Sequence, residues 1–262
     1  MVSLNARVIT SLSNPAVKAA RALHLRKERE ETRLFLVEGL KSITEAVRLG
    51  RAPKLLLYAE AAEDHPLLRE ATEVATETAL VSEGVLGKIS RRDNPQAVLG
   101  VFEQVFLPLR DLDPGAARCF VALEAVRDPG NLGTIIRTAD AAGCGGVILI
   151  GTCCDPYSVE AVRATMGSIF AVPLVKAGVT EFVDWASAWP GAVVGTHLDA
   201  VTDFRAADYV APTLLVMGNE QAGLTDEVAA ACGVTVKIPM RGRADSLNLA
   251  VATGVMIYAA TG

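Results

Sequence analysis

The chain has 262 residues, 51% of them hydrophobic and 21% charged, with a formal net charge of −5. This is a globular composition, enough for one large domain or two smaller ones, and no apolar run approaches the roughly 20 residues of a membrane span. Met1 to Ser13 lacks the apolar core of a secretory signal, so a cytoplasmic protein with no membrane association is expected.

Asn14 followed by Pro15 reads as the N-cap and first residue of a polar, basic helix that reaches about Thr32. A strand at Leu34 to Val37, a helix at Gly39 to Leu49 closed by Gly50, and a strand at Leu55 to Tyr58 come next. Another helix starts near Pro66, a strand covers Thr78 to Val81, Ser82 opens a short helix, and Ala97 to Phe106 is a long apolar strand. Residues 1–51 carry ten Lys or Arg against five Glu, a surplus of five positive charges that leaves the rest of the chain at −10. Such asymmetry suits an end that meets phosphate, with Lys18, Arg21, Arg26 and Lys27 as candidate contacts. Glu28, Glu30 and Glu31 interleave with these bases, so a solvated face laced with ion pairs competes with that reading.

Leu107 to Ala117 is polar, with two prolines and a glycine, and reads as a linker between a small α/β unit (1–106) and a second domain (118–262). Beyond it the spacing predicts strands at Cys119 to Leu123, Gly146 to Ile150, Ala171 to Val175, Ala192 to Thr196, Thr213 to Met217 and Thr235 to Ile238. Helices are predicted at Leu132 to Ala142, Ser158 to Met166, Thr180 to Ala188, Thr225 to Ala231 and Leu247 to Ala260. Short apolar strands alternating with helices imply βαβ units and a mostly parallel sheet. Such sheets bind ligands at the carboxyl ends of their strands. The five cysteines (119, 144, 153, 154 and 232) are odd in number and mostly set in apolar runs, which favours reduced, structural thiols. His24, His65 and His197 are scattered and fit no metal-ligand spacing, so no metal is expected.

Three polar segments fall at those strand ends. In Glu124 to Asp140, glycines at 130 and 133 precede a helix, but neither G-x-G-x-x-G nor a Walker pattern is present, which leaves a dinucleotide-dependent dehydrogenase without its fingerprint. Asn131 reads there as an N-cap. Arg137 lies among Ile135, Ile136 and Ala139 and would need an anionic partner, either Asp140 or a ligand phosphate. In the second segment, Met217-Gly218-Asn219-Glu220, a buried strand runs into a glycine turn where Glu220 has the chemistry to orient a hydroxyl or a cation; a surface turn capped by Asn219 is the alternative. The third runs from Ile238 to Asn248 and sets Ser246 and Asn248 at the mouth of an otherwise apolar helix. A polar group buried there without a partner costs about 1–3 kcal/mol, so these side chains cap the helix, bind a ligand, or both.

The three motifs, N-x-G-T-I-I-R-T-A-D-A-A-G at 131–143, M-G-N-E-x-x-G-L at 217–224 and I-P-M-x-G-x-x-x-S-L-N at 238–248, resemble those of the SpoU (TrmH) branch of the SPOUT RNA methyltransferases. The likeness covers 118–262 closely; residues 1–106 look, less specifically, like a small RNA-binding domain of ribosomal-protein type. The resemblance implies an α/β SPOUT fold with helices on both faces of a mostly parallel sheet and a deep trefoil knot, an exception to the general absence of knots. It also implies a homodimer that transfers a methyl group from S-adenosylmethionine to a ribose 2′-hydroxyl of structured RNA, with ribosomal RNA favoured. A tRNA ribose methyltransferase and a non-catalytic RNA-binding paralogue are the competing readings. By the same resemblance, Thr196, His197, Leu198, Gly218, Ile238, Met240 and Leu247 hold the cofactor. Asn131, Arg137, Glu220, Ser246 and Asn248 form the catalytic set, and Arg127 and Arg243 join the RNA contacts.

Overall fold

A computed structural model describes residues 7–262; the first six, part of the stretch scanned above for a secretory signal, lie outside the described residues. The chain forms two compact units. One runs to Gln104 and takes in Tyr157–Ala171, and the other comprises Val105–Pro156 and Val172–Gly262.

The first unit holds a five-stranded sheet of β1 (Arg7–Ile9), β2 (Leu34–Glu38), β3 (Leu55–Tyr58), β4 (Glu77–Val81) and β5 (Val98–Glu103) in the order β1-β4-β3-β5-β2. Its first three neighbours pair in parallel, while β5 runs antiparallel to both β3 and β2. The basic helix expected to run unbroken from Asn14 to Thr32 is two helices, Pro15–Ala22 and Arg26–Thr32. Arg29 explains the break. Its buried guanidinium donates to the carbonyl of Leu23 at 2.8 Å, and Leu25 turns to extended backbone to start the second helix. Val17, Ala20 and Leu23 then face a core that includes Leu36, Leu57, Leu86 and Ile89. At the end of β2 the carboxylate of Glu38, almost wholly buried, pairs with Arg163 of the helix Val159–Thr165 and lies 3.7 Å from Arg92. A buried charge persists only when so partnered.

The second unit is a seven-stranded sheet of β6 (Cys119–Glu124), β7 (Val147–Ile150), β8 (Leu174–Ala177), β9 (Val193–Thr196), β10 (Thr202–Asp203), β11 (Thr213–Met217) and β12 (Val234–Lys237). Every pairing is parallel, in the order β10-β12-β9-β11-β6-β7-β8. Each residue of the central strands β6 and β11 is buried, as expected of parallel strands covered on both faces. Phe120, Ala122, Leu214 and Val216 pack against Phe182 and Ala186 of the helix Val179–Ala186 and Val228 of the helix Asp226–Ala230. The C-terminal helix Leu249–Thr261 packs on β6 and β11, together with the helix Pro129–Ala141. Segment 107–117 is part of this unit: Leu109 and Leu112 are buried, and the Leu107 amide donates to Leu174 at 2.8 Å. The strand expected from Ala171 begins only at Leu174, because Ser168–Phe170 forms a 3₁₀ turn first. All five cysteines are free, and only Cys119 and Cys144 are fully buried. Among the described residues no helix is long and apolar enough to cross a membrane.

Candidate active site

Because the sheet is parallel, β12, β9, β11 and β6 end on the same side, with Val236 in register with Thr196 and Met217 with Leu123. The polar segments that leave these strands therefore meet. Asp128 caps the helix Pro129–Ala141, its Oδ1 accepting from the Asn131 amide at 2.6 Å. This corrects the reading of Asn131 as N-cap, and it leaves the Asn131 side chain available for other partners.

Asn131 uses both of its polar atoms. Its Oδ1 accepts from Asn248 Nδ2 at 2.9 Å, and its Nδ2 donates to Glu220 Oε1 at 3.4 Å. Asn248 is the cap of the C-terminal helix, with Oδ1 accepting from the amides of Ala250 (2.9 Å) and Val251 (3.3 Å). The helix accordingly begins at Leu249 rather than Leu247. Ser246 does not cap; its hydroxyl donates to Asp245 Oδ1 at 3.2 Å, and the residue is exposed. One hydrogen-bond chain, Asn248 to Asn131 to Glu220, thus joins the loops that follow β12, β6 and β11.

The loop after β11 is built to hold Glu220 in place. Asn219 Oδ1 accepts from the amides of Gln221 and Ala222, while its Nδ2 reaches Ala125 O at 2.8 Å and Glu220 Oε2 at 3.3 Å. Asn219 and Gly223 also exchange backbone hydrogen bonds of 2.9 and 3.0 Å. This closes the turn so tightly that a Cβ on Gly218 would lie 2.2 Å from the carbonyl carbon of Gly223. Below the loop, Glu124 at the end of β6 accepts from the amide and hydroxyl of Thr225, the cap of the next helix.

A cavity of about 420 Å³ opens at these strand ends. Thr196, His197, Leu198, Gly218, Ile238, Met240 and Leu247, the seven residues expected at a cofactor, all line it, as do Glu220 and Ser246. Asn131, Arg137 and Asn248 stand outside the lining, so two of them bear on it only through Glu220 and the helix cap. Sequence reasoning missed Met217, Lys237 and Asp245 as wall residues, and it treated Asn219 only as a turn cap. For Asn219 the signal was its place between Gly218 and Glu220, where an Asx turn organises the loop. Lys237 signalled itself as the charged end of an apolar strand.

Arg137 is exposed rather than enclosed by its apolar helix, and it makes no hydrogen bond or ion pair with a described residue. The partner anticipated in Asp140 is not engaged. Arg127 and Arg243 are likewise exposed. In the first unit, Arg26 pairs with Glu30 at 2.7 Å and Lys27 with Glu31 at 3.7 Å, whereas Lys18 and Arg21 have no ion pair among the described residues. Burial, with Cys153, Glu220 and Asp128 nearby, pushes the Cys154 thiol up to about 12, and burial raises Cys153 as well. Both shifts disfavour the thiolate, the form in which a cysteine acts as a nucleophile.

Residues 118–258 match the SpoU rRNA Methylase family and residues 14–100 an MRM3-like substrate binding domain. The chain is 32% identical to the 23S rRNA (guanosine(2553)-2′-O)-methyltransferase RlmP of Bacillus subtilis, over 95% of this chain and 97% of that protein. It is 35% identical to a 23S rRNA (uridine(2479)-2′-O)-methyltransferase of Streptomyces viridochromogenes, over 97% and 92%. The AdoMet-bound rRNA methyltransferase from Sinorhizobium meliloti superposes with a TM-score of 0.91 at 50% identity, over 97% of each chain. The chain belongs to the SpoU rRNA methylase family.

Proposed function

We propose that this protein methylates a ribose 2′-hydroxyl in ribosomal RNA, with S-adenosylmethionine bound in the cavity at the ends of β9, β11 and β12. The observation that carries this reading is that the loops bearing the second and third family motifs wall one cavity with Thr196–Leu198, and that one hydrogen-bond chain ties both loops to Asn131 of the first motif. Relatives that span nearly the whole chain are named as 23S rRNA 2′-O-methyltransferases.

The residues present fit the cofactor. The cavity lies in the size range of small-molecule sites. Met217, Ile238, Leu247 and Leu249 give it apolar walls for a purine, while Thr196, Lys237, Asp245 and Ser246 offer polar groups to a charged tail. S-adenosylmethionine brings a methyl already activated on a sulfonium sulfur, so the protein has to align the acceptor and manage its proton. Glu220, held by Asn131 and Asn219, is oriented to accept from a ribose hydroxyl at the cavity wall. Arg137 resists deprotonation and is a poor general base; its free guanidinium instead grips an RNA phosphate and stabilises the developing alkoxide. Lys18, Arg21, Arg127 and Arg243, all exposed, supply further contacts to the RNA backbone.

The trefoil knot and the homodimer belong to the same proposal. In support of the knot, the C-terminal helix touches both β11 and the turn Phe204–Ala206 within the β9–β11 connection, after β12 has paired outside β9. In support of a dimer, the same helix exposes Val251 and Tyr258, seven residues apart on one face and 54% and 60% accessible.

Two results follow. A methyl group from labelled S-adenosylmethionine should appear at a ribose 2′-oxygen of an unmodified 23S rRNA transcript, and Arg137→Lys should lower kcat/KM on the order of 100-fold with cofactor affinity unchanged. No cofactor binding by calorimetry would sink the enzyme reading, and near wild-type rates for Arg137→Lys would remove Arg137 from the mechanism. Gly218→Ala should weaken cofactor binding at least about tenfold and cost about 1–3 kcal/mol of stability, because its methyl has no room beside Gly223. Wild-type affinity in that variant would show that the loop's shape is not what holds the cofactor.

A further inference from the structure

The basic residues of the first unit differ in whether an acidic side chain engages them. Those on the helix Arg26–Thr32 are neutralised, with Arg26 and Lys27 bound to Glu30 and Glu31 and Arg29 buried. Arg48 and Lys54 likewise face Glu45, Glu70 and Glu103. Lys18, Arg21, Arg33, Lys41, Arg69, Lys88 and Arg91 are exposed and have no ion pair among the described residues, and three of them converge on one place. Arg21, Lys88 and Arg91 line an open cleft of about 650 Å³ together with Arg92, and none of the three has an ion pair among the described residues. Glu83 and Asp93 also reach the cleft, and with Arg92 engaged by Glu38 this leaves three unpaired cations against two anions.

The cleft is built rather than incidental. Its walls are the packed helices Pro15–Ala22 and Glu83–Ser90. His24, just past the first helix, bonds to Ile89 O at 2.7 Å and ties the two together. Arg91 ends the second helix in the left-handed region (φ +56°), its amide on Gly87 O, so its side chain leaves from a fixed turn. Lys18 lies one helical turn before Arg21 and extends the row of free cations along the first wall. Gly84 on the facing helix has no side chain, and nothing but the Ser82 hydroxyl lies within 4 Å of where its Cβ would be, so a ligand backbone can approach closely.

We propose that this cleft is the seat of the RNA sugar-phosphate backbone on the first unit, with Arg21, Lys88 and Arg91 as the phosphate contacts and the Arg26–Thr32 helix a bystander. The proposal rests on the reading of the chain as an rRNA methyltransferase. Free cations converging on a cleft suit a polyanion whose counterions they displace, whereas a cation paired on its own helix must first give up its carboxylate.

The test is binding of the full-length protein to an unmodified 23S rRNA transcript across a salt series, with S-adenosylmethionine affinity measured on the same samples. Lys88→Gln with Arg91→Gln should weaken RNA binding about tenfold or more and flatten the dependence of log K on log salt by about 1.5, with cofactor affinity unchanged. Arg48→Gln with Lys54→Gln removes the same charge from the same unit and should leave RNA binding within about twofold. Lys18→Gln with Arg21→Gln, on the opposite wall, should repeat the loss and serves where the first variant fails to fold. If the cleft variants behave like the Arg48 and Lys54 control, the cleft is not the RNA seat. If the wild-type protein binds cofactor but no RNA, the functional reading beneath the proposal fails instead.

Discussion

The side-chain amide of Asn248 bonds at both ends, and the active end of the second unit depends on that arrangement. The first amides of a helix have no partner within it, and an apolar helix such as Leu249–Thr261 has nothing of its own to satisfy them. Asn248 Oδ1 takes two of these amides, and its Nδ2 goes to Asn131. Asn131 is available because Asp128 caps its helix for it. The chain then ends on Glu220, whose other oxygen is held by Asn219. Each group is partly satisfied by a neighbour on a different loop, so loss of one leaves others to exchange a fixed protein partner for water.

The sheet makes that meeting possible. Seven parallel strands deliver every outgoing loop to one edge, and the close register of β12, β9, β11 and β6 brings four of them together. The two flanking helices start at that edge, so their amide ends and caps crowd the same space. A site assembled in this way needs glycine where backbone meets backbone, and Gly218 is the position where the structure allows nothing larger. The cavity walls are supplied largely by loops. The groups proposed to act on the acceptor, Glu220 and Arg137, come from two different loop-helix junctions.

Much of this was legible in the sequence, and the parts that were not have physical reasons. The apolar strands of the second unit and the helices between them follow from periodicity, because parallel strands buried on both faces carry near-continuous apolar runs. The second and third motifs located two of the cavity walls, while the first lies outside the lining. The Asn131 cap was misread although Asp128-Pro129 carries the same cap-then-proline signature as Asn14-Pro15; the glycines at 130 and 133 drew the helix start too late. The break between Ala22 and Arg26 has no glycine or proline to announce it. It is made by the buried guanidinium of Arg29 on Leu23, a tertiary contact that local propensity does not encode. Strands β1 and β10, three and two residues long, are too short for any period to register. Counting bases near the N-terminus does not show how they are partnered: Arg26 and Lys27 face Glu30 and Glu31, whereas Lys18 and Arg21 have no ion pair among the described residues.

The central claim is that the Asn248–Asn131 hydrogen bond couples the C-terminal helix to the methyl-transfer site. A double-mutant cycle of Asn131→Ala and Asn248→Ala, read in kcat/KM for methylation of a 23S rRNA transcript, measures that coupling without charging it for the lost helix cap. The account predicts a coupling of at least about 1 kcal/mol, with the double variant little worse than the poorer single one. Strictly additive losses would contradict it and would reduce Asn248 to an ordinary cap.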